Sequence, residues 1–250
     1  MVERSGEYSE RGDYHRQLDR KWRYYPIYIE KMRFVEKFLA GVPRTAKILD
    51  LGCGEGIVVE NFRRKGYDIT GMDLNYESGC VVRGDITNTG LPDNSVDLVL
   101  CLDVIEHLQF VDQERAVKEI QRILKPGGTF LATIPNLAHL SSRLAFLLTG
   151  NLLRTSSIDR HPGDRPSREY RKLFRAHFDL ERVRGIFPTF PISSLLTLAF
   201  PAGMLWWHRV LNRVAAVPDW CFLNIYECRK PLTQSGEAAE STTPAIRRAA

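Results

Sequence analysis

The sequence predicts an α/β fold with a mostly parallel sheet, and three observations carry this prediction. Short apolar runs, typical of buried strands, alternate with amphipathic segments of helical period. The links between them are short, as in strand–helix repeats. The run VDLVLCL (96–102) is almost wholly apolar, which indicates a strand buried on both faces of a sheet.

The elements follow in order along the chain. Apolar periodicity and the flanking Gly and Pro residues predict helices over 26–39, 56–66, 112–125 and 137–150, and a helix capped by Ser167 that runs to His177. Strands are predicted over 47–51, 67–73, 80–85, 96–102 and 129–135. The segments 178–186 and 220–230 alternate apolar and polar residues, so we expect them to pair as the last two strands.

The chain divides into three predicted regions. Residues 1–43 form an N-terminal helical segment, whose aromatic and basic stretch from Tyr14 to Tyr25 is predicted to be either a lid or an ordinary packed helix. Residues 44–230 form the main domain, with an apolar insert over 187–217. Residues 231–250 are rich in Ala, Ser, Thr and Glu, which predicts a disordered tail.

Charge and cysteine content limit which partners, metal sites and cellular locations the sequence predicts. The net charge is +5, and nine Lys/Arg against five Asp/Glu lie between Arg154 and Arg184, so this stretch is either a site for an anionic partner or a solvated face. None of the five cysteines forms a C-x-x-C pair, which excludes the usual zinc spacing. An odd number of cysteines and an opening without a signal peptide predict a reducing, cytoplasmic location.

The glycine-rich loop in ILDLGCGEG (48–56) follows the first strand of the sheet. Its spacing, G-x-G-x-G, differs from the G-x-G-x-x-G of dinucleotide sites and is by itself a weak signal. The stretch resembles motif I of class I S-adenosylmethionine-dependent methyltransferases, and GMDLN (71–75) resembles that family's second motif. GDITNTGLPDNSVDLVLCLDVIEHL (84–108) and LKPGG (124–128) resemble the next blocks of its ubiquinone/menaquinone-biosynthesis type, in the same order.

The resemblance implies a Rossmann-like, mostly parallel seven-stranded sheet with helices on both faces and an antiparallel last strand. It implies S-adenosylmethionine as the cofactor. Asp73 would accept hydrogen bonds from both ribose hydroxyls, Asp85 would take the adenine amino group and Ile86 would lie against the ring. The full set that the resemblance assigns to the cofactor is Asp50, Gly52, Cys53, Gly54, Asp73, Leu74, Asp85, Ile86 and Leu102.

One departure from the family lies between the second and third strands. Six residues separate Asp73 from Cys80, whereas a parallel crossover normally needs a dozen or more. We therefore expect either a short, displaced third strand or a non-helical connection. Either arrangement would partly rebuild the wall that Asp85 would form for the adenine.

His107 is the candidate general base for a hydroxyl acceptor, because it follows the fourth strand where such folds place their ligands. Its neighbour Glu106 is predicted to orient it. The alternatives are that His107 packs the following helix, or that Asp103, Glu106 and His107 resemble the divalent-metal cluster of some related methyltransferases; no metal is assigned. His139 and His161 are weaker candidates for the base, and each is predicted to be a surface or structural residue.

The predicted function is methyl transfer to a small or lipid-like acceptor, at a hydroxyl oxygen. A nicotinamide-dependent oxidoreductase is the first alternative, although Ile57 stands where its third glycine belongs. A non-catalytic cofactor-binding module of the same fold is the second. A nucleic-acid substrate is disfavoured because the sequence contains no N-P-P-[YF]-type tetrapeptide.

The apolar insert suggests a membrane partner. Gly185 to Trp207 contains no charged residue in 23 positions, a length that could span a bilayer. We predict that it does not span, because the flanking strands are expected to pair and the prolines interrupt a helix. The insert then either covers the acceptor pocket or contacts a membrane through 187–213, which would suit a lipid-linked acceptor.

Overall fold

Seven strands form the single sheet of a computed structural model that describes residues 18–232. The predictions for residues 1–17 and 233–250, which include most of the predicted tail, concern positions outside the described residues. The strands are β1 (Ile48–Leu51), β2 (Ile69–Asp73), β3 (Val81–Arg83), β4 (Val96–Leu102), β5 (Leu124–Pro135), β6 (Asp179–Pro188) and β7 (Cys221–Arg229). Their order in the sheet is β3-β2-β1-β4-β5-β7-β6.

The first five strands run parallel, and β7 lies antiparallel between β5 and β6. This confirms the predicted sheet and its antiparallel last strand. Strand β3 has three residues and follows β2 without an intervening helix, so the short connection after Asp73 is irregular.

Helices cover both faces of the sheet, each over its own apolar core. They are α1 (Tyr25–Ala40), α2 (Ile57–Arg64), α3 (Phe110–Ile123), α4 (Leu140–Thr149), α5 (Ser167–Arg175), α6 (Pro191–Ala199) and α7 (Leu205–Val214). One core packs α1 and α2 through residues such as Val35, Leu39 and Val59, and the other packs α3 and α5 through Ile120 and Phe174.

Two predicted boundaries are wrong. Helix α3 ends at Ile123 and β5 begins at Leu124, because Leu124 already pairs with Val96 across a register shift and Lys125 lies 2.8 Å from Asp97. Ser167 is the first helical residue of α5 and not its cap. Its hydroxyl lies 3.1 Å from the Tyr226 hydroxyl instead.

The apolar insert folds into α6 and α7 between two paired strands, as the sequence predicts. Among the described residues, no helix is long and apolar enough to cross a membrane. The two helices are joined by a hydrogen bond of 2.9 Å from Trp207 Nε1 to Ser193 Oγ, and α7 packs on β6 and α1.

Candidate functional site

A cavity of about 470 Å³ opens at the carboxyl ends of the parallel strands. Gly52 after β1, Asp73 at the end of β2, Leu102 at the end of β4 and Pro135 at the end of β5 all line it. Ligands of open α/β sheets bind at this edge, so the topology itself points to the cavity as the candidate site.

The glycine loop forms one wall of the cavity. Gly52, Gly54 and Gly56 have φ values of +71°, +56° and +84°, in the left-handed region that favours glycine. A Cβ on Gly52 would lie 2.4 Å from Val104 Cγ2, so the close packing of the loop on Val104 also requires a residue without a side chain. The turn therefore presents bare backbone to the cavity.

Asp73 anchors this loop from the end of β2. Its Oδ2 accepts a hydrogen bond of 2.9 Å from the Gly54 backbone N–H, and its Oδ1 accepts one of 2.9 Å from Asn75 N–H. Each carboxylate oxygen keeps a second lone pair, which fits the predicted bond to each hydroxyl of a vicinal diol. The residues present therefore fit a ribose at this position.

Asp50, which the resemblance assigns to the cofactor, is not among the residues that line the cavity. The loop is held by Asp73, and the hydrogen bonds of the described residues include none to the Asp50 carboxylate. Asp50 is buried within β1 and does not line the cavity. Burial raises its pKa to about 7, with Lys31 opposing and Asp73 reinforcing the rise.

The other residues assigned to the cofactor divide into two groups. Leu74, Asp85, Ile86 and Leu102 line the cavity, and Asp85 Oδ1 accepts bonds of 2.8 and 2.9 Å from the backbone N–H and hydroxyl of Thr87. Cys53 does not line it. Its sulfur faces β2, since a Cβ on Gly71 would lie 2.5 Å from it.

Glu106 and His107 also line the cavity, from a short 3-10 turn after β4. Glu106 is 1% exposed, and its Oε2 has no hydrogen-bond partner among the described residues. Burial, followed by the nearby Asp103 carboxylate, raises the pKa of Glu106 well above its usual value. His107 Nδ1 lies 2.9 Å from the Arg160 carbonyl oxygen.

His161 joins Glu106 and His107 from the loop that precedes α5, which the sequence did not predict. Its ring lies 4.4 Å from that of His107, edge to face, and it is 6% exposed. His139, by contrast, is structural as predicted: its Nδ1 accepts a 3.2 Å bond from Ser142 N–H at the start of α4.

The N-terminal segment also supplies lining residues; the lid predicted over Tyr14–Tyr25 includes Trp22 and Tyr24, whereas Tyr28 and Lys31 lie beyond it. Trp22, Tyr24, Tyr28 and Lys31 line the cavity, and Lys31 Nζ lies 2.7 Å from Asp103 Oδ2. Tyr24, Tyr28 and Lys31 recur at helical spacing, which was the available signal. Phe222 of β7 and the loop residues Thr155 and Ser156 complete this side.

A model of the methyltransferase-domain family matches residues 49–132, the part that carries the glycine loop, Asp73, Asp85 and Glu106. By this match, residues 49–132 are similar to methyltransferase domains. The ubiquinone biosynthesis O-methyltransferase of Photorhabdus laumondii is 35% identical over 104 positions, which take in 35% of this chain and 42% of that protein. The chain thus spans less than half the length of the curated relatives it matches.

Solved structures agree on the fold. A SAM-dependent methyltransferase from Archaeoglobus fulgidus superposes with a TM-score of 0.55 at 17% identity, covering 87% of this chain and 100% of that one. The [4+2]-cyclase SpnF superposes with a TM-score of 0.51 at 19% identity, covering 77% of each chain. The predicted resemblance and fold are confirmed, whereas the reaction does not follow from the fold.

Proposed function

We propose that this chain transfers the methyl group of S-adenosylmethionine to a hydroxyl oxygen of a small or lipid-like acceptor. The observation that carries the proposal is that one cavity is lined by two chemically unlike groups of residues, which we name its two walls. The Gly52–Gly54 backbone and Asp73 form a wall suited to the nucleoside. Glu106, His107 and His161 form the wall where an acceptor hydroxyl would lose its proton.

The cofactor wall, formed by the Gly52–Gly54 backbone and Asp73, would hold and orient the cofactor. Asp73 would bind the ribose hydroxyls, the glycine backbone would approach the methionine part, and Ile86 and Leu102 would pack against apolar surface. The bound cofactor supplies a methyl group on a sulfonium, which is an excellent leaving group. The protein therefore contributes mainly alignment of the acceptor.

The acceptor wall supports a hydroxyl acceptor with apolar or aromatic surface. Trp22 packs against Tyr24 and Tyr28 with ring centroids 5.8 and 6.1 Å apart, and Tyr24 stacks on Phe222 at 5.5 Å. Such rings favour flat or apolar groups. Glu106 and His107 line the same cavity as these rings, and there they would receive or direct the hydroxyl proton.

The cofactor part of the proposal is tested by Asp73→Asn. An amide replaces one acceptor oxygen by a donor, so it loses charge-assisted bonds to the ribose and to the loop. We expect S-adenosylhomocysteine to bind roughly 10- to 100-fold more weakly by calorimetry, from about 1.5–3 kcal/mol of lost hydrogen bonding. Asp68→Asn is the matched control, because Asp68 is exposed at the other end of β2.

Equal affinity in Asp73→Asn and the control would contradict the assigned wall. The transfer itself is checked by mass spectrometry of a lipid extract incubated with the protein and methyl-labelled cofactor. Binding without a labelled product would favour the non-catalytic alternative, and binding of NAD in place of the nucleoside would favour the oxidoreductase.

We further propose that the acceptor is reached at a membrane surface. The apolar surface, as we define it, consists of exposed side chains on α6 and on the two helices that its residues contact, α4 and α7. They are Leu144, Phe146, Leu147 and Leu148 of α4, Ile192, Leu195 and Leu198 of α6, Phe200 just after α6, and Trp206, Val210 and Val214 of α7. Leu147 and Ile192 are 79% and 77% exposed. A surface of this size needs a partner.

Three features favour a bilayer as that partner. None of the described residues 187–217 lines the cavity, which argues against the pocket-cover interpretation of the insert. Exposed Arg143 and Arg213 flank the apolar surface and suit anionic headgroups. Leu152 and Leu153, also exposed, lead along the chain directly to Thr155 at the cavity.

Vesicle flotation tests this contact. The variant Leu147→Glu/Leu195→Glu removes apolar surface worth about 1.5–3 kcal/mol per buried leucine, so we expect its partition onto phosphatidylglycerol vesicles to fall at least roughly tenfold. Val82→Glu is the control, because Val82 is an exposed apolar residue of β3, at the opposite edge of the sheet from β6. Equal flotation of the two variants would show that the apolar surface does not bind lipid.

A further inference from the structure

Lys31 of α1 is the one lysine or arginine among the described residues that line the cavity. It is 7% exposed, and its Nζ lies 5.2 Å from the centroid of the Tyr28 ring. The cavity is otherwise rich in acids, and the carboxylates that line it belong to Asp73, Asp85, Asp103 and Glu106. A negatively charged group of a ligand would therefore find its cationic partner at Lys31, because carboxylates elsewhere in the cavity would repel it.

The Lys31 ammonium has more donors than the protein uses. It carries three N–H groups, and one of them donates to Asp103 Oδ2 at 2.7 Å. Among the described residues, this is the one hydrogen bond that Lys31 Nζ makes. A desolvated charge is costly unless it is paired and hydrogen-bonded. Two N–H groups of a buried ammonium at the cavity therefore remain for a ligand.

The backbone of the glycine loop has few donors left for an anion. Gly52 N–H donates to the Met72 carbonyl at 2.8 Å. Gly54 N–H donates to the Asp73 carboxylate at 2.9 Å. Because both N–H groups are used within the protein, these glycines allow a ligand to come close without binding a charged oxygen. Lys31 is the group that can supply that charge-assisted bond.

The acids near Lys31 leave much of its charge available. Burial raises the pKa of Asp50 to about 7, and it raises the pKa of Glu106 well above its usual value, with Lys31 opposing both rises. A carboxyl group that holds its proton carries no charge, so Glu106 does not neutralise the ammonium at neutral pH. Asp103 is the acid in direct contact with Lys31 Nζ.

The packing of α1 holds Lys31 in place before a ligand arrives. Lys31, Val35 and Leu39 recur every four residues, so they lie on one face of the helix. Val35 and Leu39 are fully buried in the core beneath α1. Asp103 is fixed in turn, since its N–H donates to the Thr133 carbonyl at 2.9 Å. The ammonium and its partner are thus preorganised, as a binding site requires.

We propose that Lys31 is the carboxylate-binding residue of the cavity, with its two remaining N–H groups on the ligand and Asp103 positioning the ammonium. A singly charged carboxylate suits the cavity better than a phosphate, because a dianion would meet stronger repulsion from the acids that line it. Two groups offer this chemistry: an acid group of the acceptor and the methionine carboxylate of the cofactor. Both sources rest on the proposed methyl transfer, although the binding of a simple carboxylate does not.

Calorimetry on the full chain tests the cofactor as the source. The ligands are S-adenosylhomocysteine and its decarboxylated analogue, which keeps the amino group and lacks only the carboxylate. If Lys31 holds the methionine carboxylate, Lys31→Met should weaken S-adenosylhomocysteine roughly 10- to 100-fold and leave the analogue unchanged. Lys37→Met is the matched control, because Lys37 is an exposed lysine of the same helix.

Benzoate tests the acceptor as the source, on the chain saturated with S-adenosylhomocysteine. Its flat ring suits Trp22 and Tyr24, and benzamide is its neutral counterpart. If Lys31 holds an acid group of the acceptor, both nucleosides should bind Lys31→Met normally. Benzoate should then bind Lys31→Met at least roughly tenfold more weakly than it binds Lys37→Met, whereas benzamide should bind the two variants equally. Saturation-transfer NMR measures both probes.

The proposal is overturned if Lys31→Met changes the affinity of neither S-adenosylhomocysteine nor benzoate. Equal weakening of the acids and of their uncharged counterparts would also overturn it, because Lys31 would then only hold α1 in place. Circular dichroism checks that Lys31→Met folds. If it does not fold, the unmodified chain decides: it must prefer S-adenosylhomocysteine to the analogue, or benzoate to benzamide. Failure of both nucleosides to bind would contradict the proposed function and leave the benzoate test intact.

Discussion

Asp103 connects three parts of the candidate site through a single side chain. It lies just after β4 with φ of +59°, and its N–H donates to the Thr133 carbonyl at 2.9 Å. Its Oδ1 accepts a 2.5 Å bond from the Thr133 hydroxyl, and its Oδ2 lies 2.7 Å from Lys31 Nζ. A non-glycine residue in the left-handed region is strained, and such strain persists where the surroundings fix it.

Lys31 is the cationic half of this pair and is 7% exposed. A buried ammonium is stable only with a partner, so the pair with Asp103 ties α1 to the end of β4. The same charge lowers the pKa of Asp50, against the larger effect of burial. Lys31 therefore sets the electrostatic balance between the glycine loop and the acceptor wall.

At the scale of elements, His208 joins α7 to its neighbours in the insert. Its ring stacks on Phe187 with centroids 3.8 Å apart, and its Nε2 lies 2.7 Å from the Thr197 hydroxyl of α6. The residue is fully buried, and this burial lowers its pKa to about 4. The folded insert thus holds a neutral histidine.

Acid should therefore weaken the folded state through His208. The ordinary pKa of about 6.5 applies to the unfolded chain, so as pH falls from 6.5 toward 4 the unfolded state takes up the proton first. Between pH 7.5 and 5.0 the free energy of unfolding should fall by about 2 kcal/mol through this residue. Urea titration at both pH values measures it, and His208→Gln should lose correspondingly less; an equal loss would show that His208 does not titrate this way.

The elements that the sequence predicted well are those with a local cause. The apolar run 96–102 coincides with β4 as predicted, because burial on both faces of the sheet selects apolar side chains at nearly every position of the run. The start of β5 at Leu124 was missed because it depends on pairing with Val96 across a register shift. No property of LKPGG itself specifies that partner.

The residues of the candidate site also fall into a group that the sequence predicted and a group that it did not. Gly54, Asp73 and Asp85 follow strands within one contiguous stretch, so their order predicted their meeting. Lys31, His161 and Phe222 reach the cavity from distant segments, and their placement depends on the packing of α1 and the loop before α5. Cys53 was assigned from its position in the loop, yet its side chain faces β2.

At the scale of the whole molecule, the N-terminal segment meets the first residues of β7 and the loop after α4 at the cavity. Tyr24 stacks on Phe222 of β7, and its hydroxyl donates to the Thr155 carbonyl at 3.3 Å. The N-terminal segment thus touches the last strand and the loop after α4. We therefore expect residues 18–31 to close over the bound nucleoside as a lid.

Limited proteolysis with trypsin measures the predicted closure of the lid. Arg20, Lys21 and Arg23 are exposed trypsin sites beside the cavity residue Trp22, whereas Lys65 is an exposed site beyond the far end of α2. We expect saturating S-adenosylhomocysteine to slow cleavage at the first group several-fold more than at Lys65, because ligand binding stabilises the closed segment. Tyr24→Ala removes the contact with Phe222 and should abolish the difference. Equal protection at both places would mean that the ligand stabilises the whole domain without closing a lid.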